Sequence, residues 1–177
     1  EAFDKVGKLL ALPYPGGPRV SKLADIGLPD TYKYPRPMLT SSNLNFSFAG
    51  LKTAVRYSIE GKKLSHQHKA DVCASFQRAA IDVLVHKTVA AARATQASTI
   101  MLSGGVSANL LLRKELGQAA TEIGCKFLPV NQSYTGDNAA MIALAGGLEA
   151  TKRGLNRYRH GWQNVQANAN WELWQVA

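Results

Sequence analysis

The chain has 177 residues, 46% of them hydrophobic, which is enough for one domain with a sizeable core and too few for two. That composition excludes a disordered chain, and the longest apolar runs, residues 98–102 and 127–130, are far too short to cross a bilayer, so no membrane partner is expected. A formal charge of +9 favours an anionic partner such as nucleic acid, because each neutralised phosphate releases counterions.

In chain order, Phe3, Val6, Leu9 and Leu10 recur at helical spacing and predict a short amphipathic helix over residues 1–10. Asp4 lies in it and could accept hydrogen bonds from a pair of ribose hydroxyls; beside Lys5 and Lys8 it also reads as a solvated charge. Pro13 stops the helix, and Tyr14-Pro15-Gly16-Gly17-Pro18 predicts a tight loop before a second short helix over 18–26. Residues 27–45, with Pro29, Pro35 and Pro37, form a connector. Phe46-Ser47-Phe48 predicts an extended edge, followed by a helix over 50–59 and a polar loop over 61–69. Arg56, Lys62, Lys63, His66, His68 and Lys69 make a basic patch that either faces solvent or touches phosphates. The longest helix spans 69–95, with Val72, Phe76, Ala79, Ala80, Val83 and Leu84 on one face. A strand over 99–102, a Gly104-Gly105 turn, a helix over 107–123, a strand over 125–130 and a helix over 138–152 complete the order. Helices alternating with strands indicate an α/β fold with parallel strands, which binds ligands beyond the carboxyl ends of those strands.

Two candidate sites lie at such ends. In Ser103-Gly104-Gly105-Val106-Ser107-Ala108-Asn109, the glycines allow close approach of a phosphate or nucleoside, and the helix start offers free N–H groups. The plainer reading is a tight turn with Ser107 as helix cap. Asp137 precedes an apolar helix, where a carboxylate either holds a cation or simply caps the helix. His66 and His68 fall in a segment without strand pattern, so surface placement is expected; His86 and His160 are isolated, and no His-x-x-x-His occurs. Cys73 falls on an apolar helix face and Cys125 opens a strand. Two buried thiols suit a reducing compartment, and a cytoplasmic location is expected. All three tryptophans, Trp162, Trp171 and Trp174, lie in the last stretch near Arg153, Arg157 and Arg159, where they suit a partner surface or a folded-back tail.

Together and in order, several stretches resemble one family, TsaD, the bacterial tRNA threonylcarbamoyladenosine synthases. They are Glu1-Ala2-Phe3-Asp4-Lys5-Val6, Tyr14-Pro15-Gly16-Gly17-Pro18, Tyr34-Pro35-Arg36-Pro37-Met38, Phe46-Ser47-Phe48-Ala49-Gly50-Leu51-Lys52-Thr53, Gly104-Gly105-Val106-Ser107-Ala108-Asn109 and Asp137-Asn138-Ala139-Ala140-Met141. The chain departs from the family pattern at Ala49, where serine is usual, and at Gly136, where threonine is. The resemblance implies an actin-like ATPase fold of the sugar-kinase, Hsp70 and actin superfamily. Residues 1–155 would form an RNase H-like carboxyl-terminal lobe, incomplete at its amino end, and 156–177 a tail of unknown role.

It further implies transfer of a threonylcarbamoyl group from threonylcarbamoyl-AMP to the N6 amine of the adenosine beside the anticodon of tRNA. One divalent ion, iron or zinc, and accessory proteins of the TsaB and TsaE type are implied as well. By motif, Asp137 is the metal ligand; Asp4, Gly17 and Asn109 contact the adenylate, with Gly104 and Gly105 forming its loop; no other catalytic residue is implied. The family's histidine pair would precede Glu1, and this chain alone is expected to be inactive. Two other readings stay open: a generic nucleotide-binding phosphotransferase of the same superfamily, and a non-catalytic module that keeps the tRNA or partner surface.

Overall fold

The computed structural model describes residues 1–136 and 138–154. Its elements are α1 (Ala2–Leu9), α2 (Gly16–Ala24), α3 (Ala49–Ile59), α4 (His66–Ala94), β1 (Thr99–Leu102), α5 (Leu110–Glu122), β2 (Lys126–Pro129) and α6 (Ala139–Arg153), with short 3-10 turns at Gly105–Ala108 and Gln132–Tyr134. The chain divides into two compact units at Gly136.

In the first unit α4 is the spine. Its amino-terminal half buries Val72, Cys73, Phe76, Ala79 and Ala80 against Val6, Leu10, Val20, Leu51 and Val55 of α1, α2 and α3. Its continuation buries Ile81 and Ala92 against Ile100 of β1 and Leu112, Leu116 and Ala120 of α5. Twenty-nine residues let one helix serve both cores. The helix begins at His66 rather than Lys69 because the Ser65 hydroxyl accepts the His68 N–H and caps it there.

β1 and β2 pair in parallel, Thr99 opposite Lys126 and Leu102 opposite Pro129, with α5 as the crossover. The α/β order and the parallel pairing expected from the sequence hold. β2 begins at Lys126, one residue past Cys125. Cys73 is buried as expected, and burial pushes its thiol up to about 12; Cys125 is half-buried, and its Sγ lies 2.9 Å from the Ala97 carbonyl.

The connector over 27–45 is fastened to α4 by polar side chains taken in sequence. Leu28 N–H donates to Asp71 Oδ1 at 2.9 Å, and Tyr32 N–H donates to Ser75 Oγ at 3.1 Å. Arg36 donates to Asp82 at 2.9 and 3.0 Å. Lys87, 2% exposed, donates to Ser41 Oγ at 2.6 Å and also to the Asn43 carbonyl. The Leu28 N–H and then the Gln67 amide hold the Asp71 carboxyl below its usual range. A Cβ at Gly27 would stand 2.1 Å from the Ala70 carbonyl oxygen, so only glycine lets the connector meet the helix there.

Two boundaries differ from expectation. Phe46-Ser47-Phe48 forms no strand; the two rings stack with centroids 6.4 Å apart, and Phe48 leads directly into α3 at Ala49. Among the described residues the sheet has only β1 and β2, so this stretch finds no ladder to join. Helix α2 starts at Gly16, two residues before Pro18. Proline is tolerated in a first turn because those N–H groups have no partner inside the helix.

The second unit contributes α6, which Asn138 caps by accepting the Met141 N–H at 3.0 Å. Gly154, at φ 86°, ends it.

Candidate functional site

The residue before α2 is Pro15, which follows a cis peptide from Tyr14 and carries no side-chain acceptor for the helix end. Asp4 supplies one from α1: its Oδ1 accepts the Gly17 N–H at 2.8 Å. The approach is close because both helices present glycine at the crossing. A Cβ on Gly7 would lie 2.8 Å from Gly16 Cα, and a Cβ on Gly16 would lie 2.9 Å from Asp4 Cα. Asp4 is half-buried, so the alternative of a freely solvated charge is replaced by a carboxylate at a helix amino end, where the macrodipole favours it. Its second oxygen carries no hydrogen bond among the described residues. A cleft of roughly 640 Å³ opens beside it, lined by Asp4, Lys5, Lys8, Pro13, Tyr14 and Gly16 among others, with the Tyr14 ring 88% exposed. At the cleft's edge Lys5 pairs with Glu1 at 2.5 Å and, through that hydrogen bond, holds the Glu1 carboxyl below its usual range.

One turn further along α2, Ser21 meets Asn109. Asn109 Nδ2 donates to Ser21 Oγ at 2.9 Å and to Gln77 Oε1 of α4 at 2.7 Å, while Oδ1 accepts the Leu112 N–H at 2.9 Å. Both amide protons are therefore spent inside the protein, and one lone pair of Oδ1 is left for anything else. Gly17 and Ser21 are four residues apart, about 6 Å along the helix axis. Asp4, Gly17 and Asn109, distant in sequence, are thus strung along one face of α2.

Asn109 closes the glycine turn. Ser103 to Val106 are exposed, Ser107 and Asn109 are buried, and nothing stands within 4 Å of a Cβ built on Gly104 or Gly105. Gly104 has φ 82°, a left-handed conformation that favours glycine. The helix expected to start at Ser107 is instead the 3-10 turn, with α5 beginning at Leu110 and Asn109, not Ser107, as its cap. The Leu112 N–H at that helix end is consequently taken up by Asn109 itself. Ser107 Oγ is buried with no hydrogen-bond partner among the described residues.

Sequence reasoning missed Ser21, Gln77 and Arg113. Ser21 repeats Gly17 at helical spacing, and Gln77 is a long amide beside Phe76 on the buried stretch of α4; both signals were readable. Arg113, four residues past Asn109, donates from Nε to the Ser107 carbonyl and from Nη2 to the Val130 carbonyl at 2.6 Å.

The basic patch is partly committed to the fold. Lys69 Nζ donates to the Leu10 carbonyl at 2.8 Å and Lys62 Nζ to the Ser58 carbonyl at 2.8 Å, while Arg56 faces Glu60 at 3.6 Å. Lys63, His66 and His68 are exposed; the two histidines occupy the first turn of α4, two residues apart, and so do not face each other. Asp137, and the tail with Trp162, Trp171, Trp174, Arg157 and Arg159, lie outside the described residues. Among the described residues no three His, Cys, Asp or Glu side chains gather as a metal site requires, and no helix is long and apolar enough to cross a membrane.

Comparison with known proteins gives a consistent picture. The family profile for TsaD, described as tRNA N6-adenosine threonylcarbamoyltransferase, matches residues 1–144. A tRNA N6-adenosine threonylcarbamoyltransferase of Geobacter sulfurreducens is 45% identical over 98% of this chain and 50% of its own length. One from Thermosipho melanesiensis is 48% identical over 82% of this chain and 44% of its own, and one from Buchnera aphidicola is 40% identical over 100% and 51%. The chain spans about half the length of the curated relatives it matches.

Proposed function

This chain belongs to the TsaD family of tRNA N6-adenosine threonylcarbamoyltransferases, and from that premise we propose that it is the carboxyl-terminal lobe of such an acyltransferase. The reaction is transfer of threonylcarbamoyl from threonylcarbamoyl-AMP to the N6 amine of the adenosine beside the tRNA anticodon. The lobe has the actin-like, RNase H-like architecture of that superfamily, ends near residue 155, and works in the cytoplasm with TsaB- and TsaE-type partners. Alone, it is inactive.

The observation that carries this reading is the alignment of Asp4, Gly17 and Asn109 along α2, joined by hydrogen bonds at 2.8 and 2.9 Å. Each is a position that motif resemblance assigns to the adenylate. Asp4 keeps one carboxylate oxygen for a ribose hydroxyl while the other holds the Gly17 N–H. The open Gly104-Gly105 turn lets a ligand approach backbone that side chains would block.

During transfer the amine nitrogen bonds to the carbamoyl carbon, the bond from that carbon to the AMP phosphate oxygen breaks and the amine gives up one proton to solvent, so negative charge leaves on AMP. The work of these residues is binding and orientation: holding the adenylate so that its carbonyl meets the amine. A divalent ion, iron or zinc, supplies Lewis-acid stabilisation of such charge when bound. By motif resemblance, Asp137 would be a ligand to it.

The test is nucleoside analysis of tRNA after incubation with threonylcarbamoyl-AMP, using this chain alone and co-expressed with the amino-terminal half of a TsaD relative. Threonylcarbamoyladenosine should form only in the second case. Phosphate transfer from ATP to a small molecule, with tRNA unmodified, would overturn the assignment in favour of a phosphotransferase.

A further inference from the structure

Arg113 stands on the first turn of α5, where its guanidinium is half-buried and forms no ion pair among the described residues. It spends two of its donors on backbone carbonyls instead. Nε donates to Ser107, inside the turn that follows β1, and Nη2 donates to Val130, the first residue after β2, at 2.6 Å. Val130 N–H in turn donates to the Leu102 carbonyl at the end of β1, at 2.8 Å. One planar cation therefore spans the carboxyl ends of both strands. Of the segments it joins, Ser103 to Val106 and Asn131 to Tyr134 are exposed, while Ser107 and Asn109 are buried.

An arginine suits this task because its donors are set in a rigid fork; a lysine ammonium reaches one carbonyl or the other from a flexible stem. Holding the Ser107 carbonyl also fixes Asn109, two residues on, whose side chain meets Ser21 and Gln77. A half-buried cation with no carboxylate partner among the described residues is partly desolvated, and the two carbonyls offset that cost.

We propose that Arg113 is a positioning residue. Its guanidinium locks the turns after β1 and β2 into a single rim, so that the segment Gly104 to Asn109 is preformed before the adenylate arrives. What the rim serves rests on the function proposed above; that the two turns move as one does not.

Amide hydrogen exchange on the 177-residue chain decides the coupling. In Arg113→Gln, exchange in residues 104–109 and in residues 130–134 should accelerate together by roughly tenfold or more, the scale of losing a charge-assisted hydrogen bond. Amides of Val72, Phe76 and Val83 in α4 should keep their rates, and Lys114→Gln should change nothing. Acceleration in one segment alone, or in neither, overturns the proposal. Should Arg113→Gln fail to fold, Arg113→Lys decides: it should loosen at least one of the two segments, and wild-type exchange in both would be equally fatal. In a full-length TsaD enzyme containing this sequence, Arg113→Lys should raise the KM for threonylcarbamoyl-AMP roughly tenfold and leave the KM for tRNA unchanged. Coupled loosening with no change in either KM would reduce Arg113 to a structural tie and sink its positioning role. If the enzyme with Arg113 intact makes no use of threonylcarbamoyl-AMP, the functional assignment fails instead, and the exchange result still decides the rim.

Discussion

The Asp4 carboxylate accepts the Gly17 N–H at 2.8 Å, and so a side chain from α1 caps α2 in place of a proline that cannot. Asp4 has one task in the fold and a second proposed in the ligand site, and substitutions measure the first. Asp4→Asn keeps a carbonyl oxygen for Gly17 and should lose only a few tenths of a kcal/mol of charge–dipole stabilisation. Asp4→Ala removes the acceptor and should cost about 0.5–2 kcal/mol, as loss of an N-cap does. Urea unfolding of both variants checks this. Equal destabilisation by Asn and Ala would show that charge, not capping, is what the fold uses.

Asn109 should be less tolerant. Truncation to alanine strands the buried Gln77 carbonyl and the Leu112 N–H together, and we expect about 1–3 kcal/mol of destabilisation. The double variant Asn109→Ala with Gln77→Leu removes the stranded carbonyl along with its partner and should lose less than the sum of the single changes. A thermodynamic cycle by chemical denaturation measures that coupling. Strict additivity would mean that the 2.7 Å contact carries no energy.

These two residues also mark where the sequence was legible and where it was not. The long apolar face of α4, the strand at residues 99–102 and the glycine turn after it follow from periodicity and from a residue whose φ of 82° favours glycine, so local pattern sufficed. Local pattern failed where two readings share one composition. Ser107 and Asn109 are both good caps, and the choice fell to Asn109, the residue whose side chain also reaches Ser21 and Gln77, partners 88 and 32 positions away. Phe46 and Phe48 alternate as a strand would, yet among the described residues no strand is available beside them. The proximity of Asp4 to Gly17 and of Ser21 to Asn109 is a property of helix crossing, which no window along the chain contains.

Removal of the proposed metal ligand should leave the lobe intact. Asp137 lies outside the described residues, so its assignment rests on motif resemblance and calls for a direct measurement. In the full-length enzyme, Asp137→Ala is expected to lower bound iron or zinc to a small fraction of one equivalent and to abolish tRNA modification, with the circular dichroism spectrum unchanged. Elemental analysis of the purified protein reads the first effect independently of activity. Full metal content in the variant would place the ion elsewhere.

At alkaline pH the fold should weaken through Tyr34. Its ring is 5% exposed, and its hydroxyl lies 2.7 Å from Ser58 Oγ, which itself donates to the Val55 carbonyl. Ionisation would bury a charge, a cost that outweighs the lowering effect of the Ser58 hydroxyl. Burial accordingly pushes the phenol up to about 12. A folded-state value above the unfolded one means that the native chain holds the proton more tightly, so the stabilisation is complete below about pH 10 and is lost as pH rises toward 12. The Cys73 thiol, raised by burial to about 12, adds loss over a window that opens earlier, near pH 9. Unfolding free energy measured from pH 8 to 12 should thus fall in wild type and fall less steeply above pH 10 in Tyr34→Phe, which cannot ionise. Matching slopes in the two proteins above pH 10 would assign the whole alkaline loss to Cys73 and other groups, and Cys73→Ala would then have to flatten it.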